Sequence, residues 1–180
     1  LHADIGLVNG KANIDNGLAL SVDLAGDELD LPVGYRAKRH AGMIDVDRSS
    51  VLDVGQYWEP IMADRSRSLI LDPDEFYILA SCEAVTIPAT HAAEMVPFNP
   101  LVGEFRVHYA GFFDPGFGDP EGSYAVLEVK TNELPFILED GQTIARIRYE
   151  KLNKKTSVVY GLGINSNYQN QKLALSKHFK

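Results

Sequence analysis

Apolar and polar residues alternate along this chain with a period of two more clearly than with the 3.6 of a helix, so the pattern predicts strands. In residues 103–109, Phe105, Val107 and Tyr109 fall on one face, and Glu104, Arg106 and His108 on the other, as a half-buried strand requires. Residues 75–80 and 83–88 form two short runs rich in aromatic and β-branched side chains, bounded by turn formers. Residues 123–130 and 143–149 read the same way, and 19–24 adds another strand. Only 45–52 and 169–178 admit short helices, and Leu173 and Leu175 in the second fit a strand equally well.

Turn signals separate these runs: Asp72-Pro73-Asp74, Phe98-Asn99-Pro100, Asp114-Pro115-Gly116, Asp119-Pro120-Glu121-Gly122 and Glu139-Asp140-Gly141. Each offers a fixed φ from Pro, a positive φ from Gly or a carboxylate that caps a turn. Short strands at this spacing predict an all-β fold, a sandwich or barrel with few short helices. Residues 25–70, mixed and charged around Trp58, fit the pattern least and read as an insertion or an edge excursion. There is no tandem repeat and no low-complexity linker.

Composition narrows the class. At 45% apolar and 23% charged, the 180 residues are neither disordered, collagen-like nor coiled-coil, and they suffice for one domain with its own core over 1–180. A net charge of -8, from 25 acidic against 17 basic residues, argues against DNA or RNA, whose phosphates need a basic footprint. A single nucleotide is compatible with that charge, since a few local donors suffice. No apolar run approaches the roughly 20 residues that cross a bilayer, and Leu1-His2-Ala3-Asp4 lacks the regions of a signal peptide. A cytoplasmic protein with no membrane partner is the expectation. Cys82, the single cysteine, rules out an intrachain disulfide and a multi-thiolate zinc site, and reads as buried and inert.

Standard chemical motifs are missing. There is no Gly-Lys-Ser/Thr phosphate loop, no Gly-x-Gly-x-x-Gly after a strand and no Gly-x-Ser-x-Gly elbow. The histidines at 2, 40, 91, 108 and 178 show no metal-ligand spacing, and His108, on a polar strand face, suits a solvated or interfacial role. A zinc-dependent deaminase would need a His or Cys beside a Glu together with a Pro-Cys-x-x-Cys pair; with one cysteine this chain lacks that combination.

Three spaced elements remain. Asp114-Pro115-Gly116-Phe117 is followed by the acidic strand Tyr124-Ala125-Val126-Leu127-Glu128, and then by Pro135, Leu138, Gly141 and Ile144 in a Pro-x-x-Leu-x-x-Gly-x-x-Ile array. In this order they resemble the dCTP deaminase and trimeric dUTPase superfamily, over roughly residues 72–175 by turn and strand spacing. The resemblance implies a distorted jelly-roll or barrel of the dUTPase-like type, with residues 160–180 as a C-terminal arm. It further implies that Glu128 activates the water attacking C4 of cytosine without zinc, whereas dUTPases use an Asp elsewhere to hydrolyse phosphate. Val126 and Leu127 flank Glu128 with apolar groups on both faces of the strand, surroundings that penalise the charged carboxylate and suit a general base or proton shuttle. Read from the residues alone, Glu128 is also a solvent-facing strand-edge carboxylate, or one paired with Arg146 or Arg148.

The same resemblance places Gly111, Phe112, Asp114 and Phe117 around the base and deoxyribose, with an apolar wall that would strand a 2′-hydroxyl unpaired. It adds Gln142, beside Gly141, and the arm residues Tyr160 and Gln171, which close over the nucleotide. Asn167 stands where the family usually has Lys, which weakens the phosphate contact. Magnesium is implied as the companion of the triphosphate.

The family's Ser-Ser-x-x-x-Arg-like segment should fall on residues 96–101, which contain neither Ser nor Arg. Family sites lie between subunits, so that half must come from another polypeptide surface. The expectation is the C-terminal half of a tandem double-length dCTP deaminase, paired with an N-terminal homologous half, or a homo-oligomer, acting on dCTP or dUTP. The alternatives are a dUTPase or a bifunctional deaminase-diphosphatase on the same fold, a noncatalytic nucleotide-binding half-domain, and a β-rich carbohydrate or ligand module.

Overall fold

The computed structural model describes residues 1–26, 31–97, 105–107, 111–131, 133–162 and 166–180. Two single-turn helices, α1 (His2–Ile5) and α2 (Val54–Tyr57), accompany eleven strands among these residues. The strands are β1 (Leu18–Ser21), β2 (Pro32–Ala37), β3 (Trp58–Met62), β4 (Ser68–Leu71), β5 (Phe76–Val85), β6 (His91–Pro97), β7 (Phe105–Val107), β8 (Phe112–Phe113), β9 (Ser123–Thr131), β10 (Phe136–Glu139) and β11 (Thr143–Lys151). The fold is all-β, as the alternation predicts. Its strands form three antiparallel sheets in the orders β1-β11-β6-β8, β10-β4 and β3-β2-β5-β9-β7, rather than one closed barrel.

Strand β9 shows the alternation most clearly. Ser123, Ala125, Leu127, Val129 and Thr131 are buried, while Tyr124, Val126, Glu128 and Lys130 are half-buried on the other face. The buried set joins Leu18, Leu20 and Ile147 from the four-stranded sheet and Leu71 and Leu138 from the small one in a single apolar core. Buried polar groups on this face have partners: Ser81 Oγ donates to the Glu83 carbonyl and accepts the Ala125 N–H at 2.9 Å, and Thr131 donates to the Leu134 carbonyl.

Four expectations need correction. Residues 75–80 and 83–88 are not two strands: β5 is continuous, and its pairing with β9 shifts register between Ala80 and Ala84. That irregularity produces the polar break at Ser81-Cys82-Glu83, and it leaves Cys82 exposed, with its thiol directed at the Val22 carbonyl. Residues 45–52 are not helical, because Asp45 turns the chain by accepting the Asp47 N–H, and the amides of Ser50, Val51 and Leu52 bond the C-terminal tail. Asp53 instead caps α2, accepting the Gly55 N–H at 2.8 Å. Residues 169–178 are not helical either: Asn170 is left-handed at φ 53°, and the Gln171 amide bonds Ser123 Oγ. Of the strand expected at 103–109, only β7 lies within the described residues, and the Phe98-Asn99-Pro100 turn lies outside them.

Residues 32–71 contribute β2, β3 and β4, with β2 in the interior of the five-stranded sheet between β3 and β5. No helix among the described residues is long and apolar enough to cross a membrane.

Truncating Leu127, fully buried in the core, to Ala should cost about 2–5 kcal/mol of stability, read as a lower denaturant midpoint with an unchanged slope. Burial pushes the phenol of Tyr149 well above its ordinary value, and its hydroxyl donates to the Thr86 carbonyl. As pH rises past about 10, the unfolded chain loses that proton while the folded one keeps it, so stability falls. In Tyr149→Phe, measured by denaturation at pH 8 to 11, this alkaline decline should be shallower.

Candidate active site

The outward face of the five-stranded sheet, opposite the core, carries Glu128. Its direct partner across the ladder is Ile78 of β5, and Phe76 lies one pair further along, opposite Lys130. Trp58 extends the same surface, its ring 6.2 Å from that of Phe76. Along β9, Val126 and Lys130 flank Glu128 on its own face, whereas Leu127 points into the core. Its apolar neighbours are therefore Val126 and Ile78, on one face of the strand and not on both. Lys130 is drawn aside to Asp74 at 3.5 Å. The alternative partners are engaged elsewhere: Arg148 pairs with Glu94, and Arg146 lies 3.8 Å from Asp15.

A cavity of about 590 Å³ covers this surface. Its second wall comes from β8 and the loop after it, through Phe112, Phe113, Asp114 and Phe117, with Met95 of β6 beside them. Phe113 and Phe117 meet edge to face at 5.2 Å, and the ring of Tyr160 tilts against Phe117 at 5.9 Å. Phe117 is buried, whereas Phe112 is 84% exposed at the rim, far more than an isolated apolar ring normally is.

The arm forms the cover through Tyr168, Gln171 and Leu175. It is tied to the Asp-Pro-Gly-Phe turn. The Tyr160 N–H donates to the Pro115 carbonyl at 2.8 Å, and the Tyr160 hydroxyl accepts the Tyr168 N–H at 3.0 Å. Gln169 accepts the Gly118 N–H at 3.1 Å and donates to the carbonyls of Gly116 and Asp119. Gly116 must be glycine, since at φ 96° a Cβ would sit 2.7 Å from that of Val159.

Of the residues singled out from the sequence, Glu128, Phe112, Asp114, Phe117, Tyr160 and Gln171 line this one cavity. Gly111 and Gln142 do not. Gly111 lets its strand approach β6: its carbonyl accepts the Met95 N–H at 2.6 Å, and a Cβ would collide with that of Met95. Gln142 closes the β10–β11 turn, its side-chain oxygen accepting the Glu139 N–H at 3.0 Å. The segment where Ser and Arg are expected begins with Val96 and Pro97 at the end of β6, and residues 98–101 lie outside those described.

Trp58, Phe76 and Gln169 are not singled out for the site by the sequence. Trp58 comes from β3, which the alternation does not predict, Phe76 from a run read only as a strand, and Gln169 is hidden by its near neighbour Gln171. Two wall atoms are buried without a partner among the described residues, the Trp58 indole N–H and the Gln171 side-chain oxygen, a donor and an acceptor that a bound heterocycle can satisfy. The lining holds the carboxylates of Asp114 and Glu128 and, among the described residues, no Lys or Arg. Nor do the described residues contain a cluster of three or more His, Cys, Asp or Glu placed to hold a metal ion. Such a cavity suits a flat, polar-edged ring between aromatic walls, with a carboxylate beneath it.

Comparison with known proteins identifies the family. The solved structure of 2′-deoxycytidine 5′-triphosphate deaminase from Agrobacterium tumefaciens superposes with a TM-score of 0.81 at 54% identity, covering 86% of this chain and 46% of that one. This chain therefore spans less than half of that protein's length. The dCTP deaminase, dUMP-forming, of Beutenbergia cavernae is 27% identical over 172 residues, 90% of this chain and 87% of the relative. That of Kocuria rhizophila is 33% identical over 107 residues, 57% of this chain and 54% of the relative. The family profile of the 2′-deoxycytidine 5′-triphosphate deaminase C-terminal domain matches residues 1–179, so the chain belongs to the dCTP deaminase family.

Proposed function

We propose that this domain takes part in the hydrolytic deamination of dCTP to dUTP and ammonia, with Glu128 as general base. The observation that carries the reading is the placement of Glu128 on the cavity face of β9, in a member of this family, beneath an arm that brings Gln171 over it. Glu128 takes a proton from water as its oxygen bonds to C4 of the cytosine. Of the two protons of that water, one reaches the exocyclic nitrogen and the other ring N3, the C4–N bond breaks and ammonia leaves. Phe117 and Phe112 supply the apolar surface for the ring and deoxyribose, and Trp58 and Gln171 offer a donor and an acceptor to its polar edges.

A triphosphate needs cations, and among the described residues the only charged groups of the cavity lining are the carboxylates of Asp114 and Glu128. This supports a site shared with a second surface that brings the Ser and Arg absent here. A homologous N-terminal half is the preferred source, in keeping with a profile for a C-terminal domain and a solved relative about twice as long. Magnesium enters as part of the nucleotide substrate; the described residues do not form a resident site for it, and no step is assigned to it.

The names of the curated relatives favour a second reading, in which dUTP is hydrolysed further to dUMP and pyrophosphate. Supplying dCTP and dUTP separately distinguishes the two: ammonia from dCTP without pyrophosphate marks a deaminase alone, and pyrophosphate from either nucleotide marks the bifunctional enzyme. Glu128→Gln should lower ammonia release by about 10²–10⁴-fold while nucleotide binding persists. Unchanged turnover in that variant would assign the chemistry elsewhere and leave this domain a scaffold.

A further inference from the structure

The arm does not end at the cavity. Beyond Gln171, whose amide donates to Ser123 Oγ at 3.2 Å, Ala174, Leu175 and Ser176 line the cavity, and residues 177–180 then meet 48–52. There the Ser50 N–H donates to the Lys177 carbonyl at 2.9 Å, and those of Val51 and Leu52 share the His178 carbonyl at 3.1 Å. The Lys180 N–H returns to the Leu52 carbonyl at 3.1 Å, completing a parallel bridge between Leu52 and Phe179. His178 Nδ1 lies 2.8 Å from the Arg48 carbonyl, which can only accept, so Nδ1 carries the hydrogen. The ring of Phe179 then sits edge-on to Tyr57 at 5.5 Å and to Trp58 at 6.0 Å.

From these contacts we infer that residues 48–58 latch the C-terminal arm over the cavity and that Phe179 is the positioning residue of the latch. Phe179 does not line the cavity but backs Trp58, which does, so one ring holds both the end of the arm and a piece of the wall. The bonds to 48–52 tie residues 177–180 down, and a segment beyond Gln171 that lacked them would be poorly ordered. Glu128 is held by β5 and β9 and owes nothing to the latch. Loosening the latch therefore weakens nucleotide retention and leaves the chemical step intact.

The kinetic part of this inference rests on the deaminase reading; the structural part does not. In Phe179→Ala, loss of two ring contacts should raise KM for dCTP about tenfold, with kcat within about twofold of wild type. Phe179→Tyr should restore wild-type values, and removal of residues 177–180 should reproduce the Ala phenotype. In a parallel experiment without nucleotide, carboxypeptidase should trim the tail of Phe179→Ala quickly and that of the wild type slowly. Equal trimming, an unchanged KM, or a loss confined to kcat would overturn the latch. If the wild-type protein releases no ammonia from dCTP, the deaminase reading fails, and the trimming rates still decide the latch.

Discussion

Strand β9 has to satisfy two environments at once, and the strict alternation of its side chains is what lets it do so. Ala125, Leu127 and Val129 are fully buried between the sheets, while Val126 and Glu128 face the cavity. A shift of one residue would carry Glu128 into the core and Leu127 into the cavity, placing a carboxylate where nothing compensates it. Register is held by the long ladder with β5, including the Ile78–Glu128 pair, and by Ser81, which is buried at the bulge and bonded to the Ala125 amide. The energy that keeps the sheet folded thus also fixes the candidate general base.

The cavity built on that strand is chemically lopsided. Its walls are aromatic, its charged groups are Asp114 and Glu128, and the nearest cation along β9, Lys130, is turned toward Asp74. Aromatic walls and a carboxylate suit a base and a sugar; they do not suit three phosphates. A nucleotide bound here would project its charged end toward whatever surface faces the open side. The lack of Ser and Arg in 96–101 and the lack of Lys and Arg among the described lining residues are the two observations behind the proposed second surface.

The parts of this arrangement that were legible in the sequence share a physical cause. β9, and β11 from Ala145 onward, pack one face on the core, so their burial follows their alternation there, and the turns at 114–116 and 139–141 need the Pro and Gly that announce them. β2 and β3 were not legible. In β2, Val33 and Gly34 are adjacent and both buried, Gly34 because a Cβ would press on Leu79, while β3 leaves most of its side chains exposed. β5 was read as two strands because a bulge and a turn both look like a short polar break. Family resemblance named six residues that line the cavity and two, Gln142 and Gly111, that do not line it and whose contacts in the structure are local: one closes a turn, the other permits a close backbone approach to β6.

The two segments that looked least like strands, 25–70 and the C-terminal tail, turn out to depend on each other. Backbone groups of 50–52 that an isolated helix would have bonded internally are bonded to 177–180, while Gln171, earlier in the tail, bonds Ser123 and Tyr124 of β9. Neither segment's conformation is encoded within itself, which is why local propensity reads both wrongly. Trp58 joins this pairing to the chemistry, because it stacks on Phe179 on one side and reaches the cavity with an unpartnered N–H on the other. A ligand that satisfies that N–H stabilises Trp58 where Phe179 needs it, so occupancy of the cavity and closure of the tail favour each other by the same contact.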